Sequence, residues 1–501
     1  MKLMKSLFLG SAAGLVVMSG AQAADLPLKA KAVEYVKVCS LYGAGFYYIP
    51  GTDTCIKLGG YLRSDLGVNT NAIFGGNTSG PAGAQNRFSN AFTWRSRADL
   101  TIDTRTATEY GVVRTYMETA FSWTSGGYAG SATGATTYNG NPNGAVSGGQ
   151  LGVYFAFIQF AGFTMGKAVS QFSAPWTEFP GKNIFTGLVG GGGTNTGVNQ
   201  FTYTAEFGDG VSASVGVQDP SAYYQPGISN LATATQGNFG YGASAYGGTT
   251  VPDIVGQLRV DQAWGLFQAS VAAHDNNPAY YGAAQTSGGP GGKWGWAGQL
   301  ALSIKNIPTG PGDTINLQGV YTNGATRYNI QDQASPASAA TIFSDVTGVG
   351  YGFAPDSVYG PGGSLQLVST WGMRGGFNHN WNPYWSSSVF GAYASVRYTG
   401  AAKAAMCGVG GTVHTLIGAG AGGNITVCNP DYNIGQVGAN LRWTPVKNLT
   451  FTTEAVYTML DQKYAGVAAL AANTGIGKPA GHYTLKDQDT WTVMLRAQRN
   501  W

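Results

Sequence analysis

Phe92-Thr93-Trp94-Arg95-Ser96-Arg97-Ala98-Asp99-Leu100-Thr101-Ile102-Asp103-Thr104-Arg105 decides the fold. Successive side chains of an extended strand point to opposite faces. Phe92, Trp94, Ser96, Ala98, Leu100 and Ile102 share one face; Thr93, Arg95, Arg97, Asp99, Thr101, Asp103 and Arg105 share the other. The second face carries full charges and must line water. The first carries Trp and Phe and meets lipid or a core. About sixteen such stretches follow one another after residue 55, and the gaps between them run short, long, short, long. An even number of strands, with tight turns at one end and long loops at the other, describes an all-β transmembrane barrel of the outer-membrane type.

The alternation predicts strands at 55–69, 90–106, 110–124, 151–160, 162–170, 199–207, 211–219, 252–262, 264–275, 292–304, 313–323, 366–380, 384–399, 432–444, 449–461 and 488–500. Short links such as Ala161, Gly208-Asp209-Gly210, Ala263 and Trp381–Pro383 alternate with eight gaps of about 16 to 42 residues, rich in Gly, Ser, Asn, Thr and Pro as solvated loops are. A soluble sandwich has no reason to sort its loop lengths this way. The register holds through most strands. The tenth places Trp294, Trp296, Leu300, Leu302 and Ile304 outward, with Lys293, Gln299, Ser303 and Lys305 inward. The fourth is less clean: Phe155, Phe157, Ile158 and Phe160 are apolar on both faces, as expected of a strand packed against an in-folded loop or a neighbouring subunit.

Composition agrees. Charged residues are 10% of the chain, against roughly 25% in an average soluble protein. Aromatics reach 12%, too many for a disordered chain. Mean hydropathy is only −0.06, and past the start there is no apolar run of the ~20 residues that a membrane helix needs. The one long apolar run is Leu7 to Met18, behind Lys2 and Lys5 and ahead of Ala21-Gln22-Ala23; residues 1–23 read as a cleaved secretory signal. Its loss takes the formal charge from +4 to +2, which excludes a nucleic-acid partner. Four cysteines in an oxidising compartment allow three pairings. Cys39 and Cys55 bracket the start of the first strand, and Cys407 and Cys428 share one late loop, so a barrel favours local pairs. A metal site of Cys407, His414 and Cys428 is the rival, and its spacing fits no common ligand pattern.

The stretch Val38-Cys39-Ser40-Leu41-Tyr42-Gly43-Ala44-Gly45-Phe46-Tyr47-Tyr48-Ile49-Pro50-Gly51, continuing through Cys55 to Gly59-Gly60-Tyr61-Leu62-Arg63, closely resembles the opening of the alphaproteobacterial (rhizobial-type) general porins. The resemblance covers essentially the whole chain: a lead over 24–54 and a barrel over 55–501. It implies a homotrimeric outer-membrane porin with the third long loop folded into the lumen, set among outer-membrane lipid and lipopolysaccharide. The chain departs in its long Gly-rich loops 324–364 and 400–431, and in ending on Trp501 where Phe is common. Trp501 lies in the outward register of Trp491, Val493 and Leu495, and resembles the sorting signal read by the barrel-assembly machinery.

A barrel of ~16 strands is too wide for side chains to fill, so something must narrow it. The candidate is the loop over 171–198, whose Trp176, Phe179, Pro180 and Phe185 give it apolar mass to sit against a wall. Arg63, Arg95, Arg97 and Arg114 face inward on the first three strands. Arginine within a membrane span is costly unless it meets water or a partner, so these line the predicted constriction, partly matched by Asp65, Asp99 and Glu118. The loop adds only Glu178 and Lys182 as charges, and Glu178 is the expected acid opposite the arginines. That balance predicts weak ion selectivity.

Neither an enzyme nor a cofactor is expected: His274, His379, His414 and His482 have no partners at triad or metal spacing, and Gly190–Gly193 lacks the strand–turn–helix setting of a phosphate cradle. The reading is a passive channel for small hydrophilic solutes and ions, selecting by eyelet size and charge. Two alternatives stand beside it. One is a solute-specific porin, which calls for an aromatic track in the lumen; inward positions read mostly as Ser, Thr, Asn, Gln and charge. The other is an adhesin or receptor built on the long loops.

Overall fold

A computed structural model describes residues 37–70, 91–124, 150–194, 196–221, 223–330, 342–472 and 478–501. The predicted signal over 1–23 lies outside them. Sixteen strands form the wall: β1 (Cys55–Val68), β2 (Phe92–Thr108), β3 (Gly111–Thr124), β4 (Gln150–Phe160), β5 (Phe163–Ala168), β6 (Val198–Gly208), β7 (Val211–Gln218), β8 (Asp253–Gln262), β9 (Gly265–Asn276), β10 (Lys293–Lys305), β11 (Thr314–Asn323), β12 (Ser369–Asn380), β13 (Trp385–Arg397), β14 (Tyr432–Val446), β15 (Leu449–Gln462) and β16 (Gln488–Asn500). Each pairs antiparallel with the next, and β16 returns to β1 from Tyr61↔Asn500 to Val68↔Val493, so the sheet closes without an edge. No strand end departs from the sequence reading by more than three residues.

The alternation does what it implied. Phe92 and Trp94 are 60% and 47% exposed on the outer face, while Arg95 between them and Arg97 is 9% exposed. The tight turns carry the backbone their geometry demands. Ala161 and Gly162 have φ of 49° and 85° between the paired residues Phe160 and Phe163, the two-residue connection whose twist matches a hairpin.

The fourth strand is apolar on both faces because Phe155 and Phe157 line the lumen while Ile158 faces lipid, and it is also irregular one residue before Phe155. Glu118 opposes Phe155 and Thr119 opposes Val153, so Tyr154 is an extra residue, a β-bulge. Before it, Leu151 and Val153 point to lipid; after it, Ile158 does. Tyr154, Phe155 and Phe157 all face the lumen, where Tyr116 stacks on Phe157 at 5.4 Å and Arg97 lies over the Tyr154 ring. The Tyr154 carbonyl, freed from the ladder, accepts the Gly197 N–H at 2.9 Å from the in-folded loop.

Among the described residues, parts of the later long loops are structured. Segments of the β7–β8 and β11–β12 loops build a four-stranded sheet of Ile228–Asn230, Ala243–Ser244, Ser357–Tyr359 and Gln366–Leu367. A five-stranded sheet joins Ile342–Ser344 and Gly348–Tyr351 to Asn424–Val427, Ala465–Leu470 and Gly481–Leu485. Their apolar faces share one buried cluster with the in-folded loop, in which Leu188, Phe239, Tyr351, Met406 and Leu460 are members. Gly400–Ala421 is apolar enough to cross a membrane by composition. It is instead two short helices, Gly400–Cys407 and Thr412–Ile417, in the β13–β14 loop, closed by the Cys407–Cys428 disulfide. Cys39–Cys55 is the other disulfide, so both local pairs form and Cys407 and Cys428 are not metal ligands. A buried His274 on β9 holds two of the loops to the wall. Its Nδ1 lies 2.7 Å from Asp253 and its Nε2 3.2 Å from Asp356 of the β11–β12 loop and 2.7 Å from the Tyr246 hydroxyl of the β7–β8 loop. Burial pushes the Asp356 carboxyl up, opposed by the adjacent His274.

Candidate pore constriction

The loop between β5 and β6 turns into the barrel and lies along its wall from β8 round to β15. The wall's polar side chains hold the loop backbone. Gln257 on β8, Gln268 on β9 and Gln299 on β10 donate to the carbonyls of Gln171, Ser173 and Phe172 at 2.8, 2.9 and 2.7 Å. Asn316 on β11 donates to Pro180 at 2.7 Å. Gln436 on β14 both accepts the Val189 N–H and donates to the Gly187 carbonyl, each at 2.9 Å. Glu454 on β15 accepts the N–H groups of Ile184 at 2.8 Å and Phe185 at 2.6 Å. Arg374 on β12 is 2% exposed and donates to the carbonyls of Leu188 at 3.2 Å and Gly192 at 3.0 Å. At Gly190 the loop touches the β12 backbone: φ is 88°, and a Cβ there would lie 2.2 Å from the Met373 carbonyl oxygen. Only glycine fits such an approach.

The opposite wall, β16 and β1 to β4, carries the charge in layers. Asp65, fully buried, takes Arg95 at 2.6 Å and Arg496 at 2.7 Å, one from each neighbouring strand. One step below, Arg63 and Arg97 stand directly opposite each other in the β1–β2 register. Arg63 donates to Gln498 at 2.8 Å and Arg97 to Ser122 at 2.8 Å; among the described residues no carboxylate lies within ion-pair distance of either. Asp99 follows, opposite Tyr61, then Glu118, which accepts the Tyr116 hydroxyl at 2.9 Å. Arg114 sits lowest, sharing Asp103 with Arg105. Each cation away from the Asp65 cluster also lies over a ring: Arg63 over Tyr61 at 4.2 Å, Arg97 over Tyr154 at 5.3 Å, and Arg114 over Tyr116 at 5.2 Å.

The structure therefore brings Arg63, Arg95, Arg97, Arg114 and Glu118 onto one wall. Glu178 and Lys182 are elsewhere. Glu178 is 4% exposed, on the β12 side of the loop in the field of Arg374. Lys182 is exposed beside Arg442, whose guanidinium donates to its carbonyl at 3.2 Å. Three groups were not singled out from the sequence. Arg496 was legible in principle, since it shares the inward register of Thr492, Met494 and Gln498. Tyr154 and Arg374 were not, because the bulge and the landing place of the loop are tertiary facts.

A family model described as the porin subfamily matches residues 25–494. The chain belongs to that family. This porin-family chain is 33% identical to the porin Omp2b of Brucella suis over 277 residues, covering 54% of this chain and 66% of that protein. It is 34% identical to the porin Omp2b of Brucella canis over 274 residues, with the same shares. The match thus spans just under two thirds of those relatives' length. The outer membrane channel DcaP of Acinetobacter baumannii superposes with a TM-score of 0.53 at 16% identity, over 91% of this chain and 99% of that one; at that identity the likeness is one of fold. Family and closed barrel together place the protein in the outer membrane as a multi-pass β-barrel.

Proposed function

We propose that the protein is a passive, water-filled channel for small hydrophilic solutes and ions, working as a homotrimer among outer-membrane lipid and lipopolysaccharide. The observation that carries this reading is the asymmetry of the lumen. One wall is covered by a loop whose Glu178 is buried and whose Lys182 lies beside Arg442, and the other presents Arg63 and Arg97 as a cross-strand pair that forms no ion pair among the described residues. Like charges directly opposite on a sheet face are destabilising, so a folding requirement does not account for the pair; an anion in transit does. The constriction lies between this pair and the in-folded loop. With Arg63, Arg95, Arg97 and Arg496 against Asp65, Asp99 and Glu118 at this level, and Asp65 already shared by two cations, the channel prefers anions modestly.

Arg97→Glu tests the assignment. Arg95 is unsuitable, because its replacement would leave Asp65 beside a second carboxylate. Among the described residues Arg97 donates to Ser122 and lies over the Tyr154 ring without an ion pair, and its reversal moves the wall by two charge units. In planar bilayers under a KCl gradient the reversal potential should shift toward cations, most at low salt, where the Debye length exceeds roughly 10 Å. An unchanged reversal potential would place Arg97 outside the constriction.

A further inference from the structure

We propose that the arginine wall is a binding subsite for aromatic carboxylates, an inference that rests on the constriction reading and names the solute class it retains. The bulge at Tyr154 turns Tyr154 and Phe155 into the lumen together, where a regular strand would send one of them to lipid. They join Tyr116 and Phe157 in one strip: Phe155 and Tyr116 are 6.3 Å apart by ring centroid, and Tyr116 and Phe157 are 5.4 Å apart. The strip begins under Arg97 and ends under Arg114. All four rings are half-buried, so they are reachable from the lumen.

The two ends differ. Arg114 is neutralised by Asp103 at 3.0 Å. Arg97 faces Arg63, and among the described residues neither forms an ion pair, although Asp99, two residues from Arg97 on the same face, acts on both through space. The open position is thus an oxyanion site of two guanidiniums with the rings of Tyr61 and Tyr154 against them, Asp99 being the next charge along the wall. Guanidinium forks match a carboxylate in plane and in donor spacing. Rings attract a second ring in offset or edge-to-face contact, and a guanidinium attracts a ring over its face. A flat ring carrying a carboxylate satisfies both halves at once: the oxygens on Arg63 and Arg97, the ring against Tyr154 and Phe155. A saturated ring carboxylate satisfies only the first half. A neutral aromatic alcohol satisfies only the second.

The test uses the full-length protein in planar bilayers at low salt, with benzoate, cyclohexanecarboxylate and benzyl alcohol as probes of reduced ion current. Benzoate should half-saturate at a concentration about 3- to 10-fold below that of cyclohexanecarboxylate, the range that one aromatic contact gives, and benzyl alcohol should not saturate. Tyr154→Leu should bring the two carboxylates level. The comparison of solutes on the wild-type channel stands even if that variant assembles poorly. Equal half-saturation by the two carboxylates, or block by benzyl alcohol as strong as by benzoate, overturns the aromatic subsite. The Arg97→Glu reversal potential, measured alongside, keeps the two claims apart. If it shifts while benzoate shows no preference, the constriction stands and the subsite falls; if it does not shift, the constriction reading has failed as well.

Discussion

Arg374 shows what a single residue does that strand register alone does not convey. Its inward position on β12 is plain from the alternation, but an inward arginine can meet water, a carboxylate or a loop, and the sequence does not say which. The structure gives it loop carbonyls and the field of Glu178 beneath the in-folded loop. Arg374→Ala strands those acceptors away from water and removes a buried cation whose field reaches Glu178. Breaking a buried charge arrangement on one side costs about 3–5 kcal/mol, as much as several of the loop's remaining side-chain bonds return at about 1 kcal/mol each, and the loss falls on the stretch Leu188–Gly192 that Arg374 holds. The loop should therefore detach in part. Single-channel recordings should show rapid current fluctuation absent from the wild type, while Arg374→Lys, which keeps the charge but not the fork, should lie between. A quiet Arg374→Ala channel would mean that Glu454 and Gln436 suffice to hold the loop. The Glu178 expectation missed for the same reason: the charge was legible, the side of the loop it emerges on was not.

Whole elements were more legible than their contacts. Strand limits could be read closely because a lipid-facing strand cannot change register without exposing charge, and because turn residues such as Ala161-Gly162 and Gly208-Asp209-Gly210 mark its end. The bulge in β4 left no mark in the alternation, since the residues that are apolar on both faces, Phe155 to Phe160, follow it in regular register. The long loops left less. Gly-rich segments have no period, so nothing announced that 324–364 and 400–431 contribute to two accessory sheets and a helical pair over the lumen. Within that pair the Cys407–Cys428 bond ties the end of the first helix to the strand Asn424–Val427, across a separation of 21 residues. A closed loop of that size is worth about 3 kcal/mol in the chain-entropy account. Lys403, on that helix, pairs with Asp431. Trypsin should spare the Lys403–Ala404 bond in the oxidised protein and cut it after reduction, with the barrel still migrating as folded in an unheated gel. Resistance after reduction would show that packing of Ala402, Met406, Val413 and Ile417 holds the helices without the bond.

At the scale of the whole molecule the decisive contact is the one between the first strand and the last. Fifteen neighbouring pairs can form as the chain is laid down in order, but β1 and β16 meet only when the barrel closes, and until then both present unpaired edges. Trp501 sits at that junction. Its N–H donates to the Gly60 carbonyl on β1 at 3.1 Å, and its ring lies on the outer surface against Gly60, close enough that a Cβ there would be 3.0 Å away. Trp501 remains 57% exposed, which suits a ring at the membrane interface with one side against protein. It plays no part in the lumen. Trp501→Ala should therefore lower the amount of folded, heat-modifiable protein in outer-membrane fractions, while channels that do assemble keep the wild-type conductance. Trp501→Phe, which keeps a ring in the Gly60 notch, should restore most of the yield. Wild-type amounts of folded Trp501→Ala protein would show that the backbone pairs from Tyr61 to Val68 close the barrel without the ring. A changed conductance in the assembled variant would instead mean that the junction shapes the pore, because Arg63 and Arg496 stand on the two strands it joins.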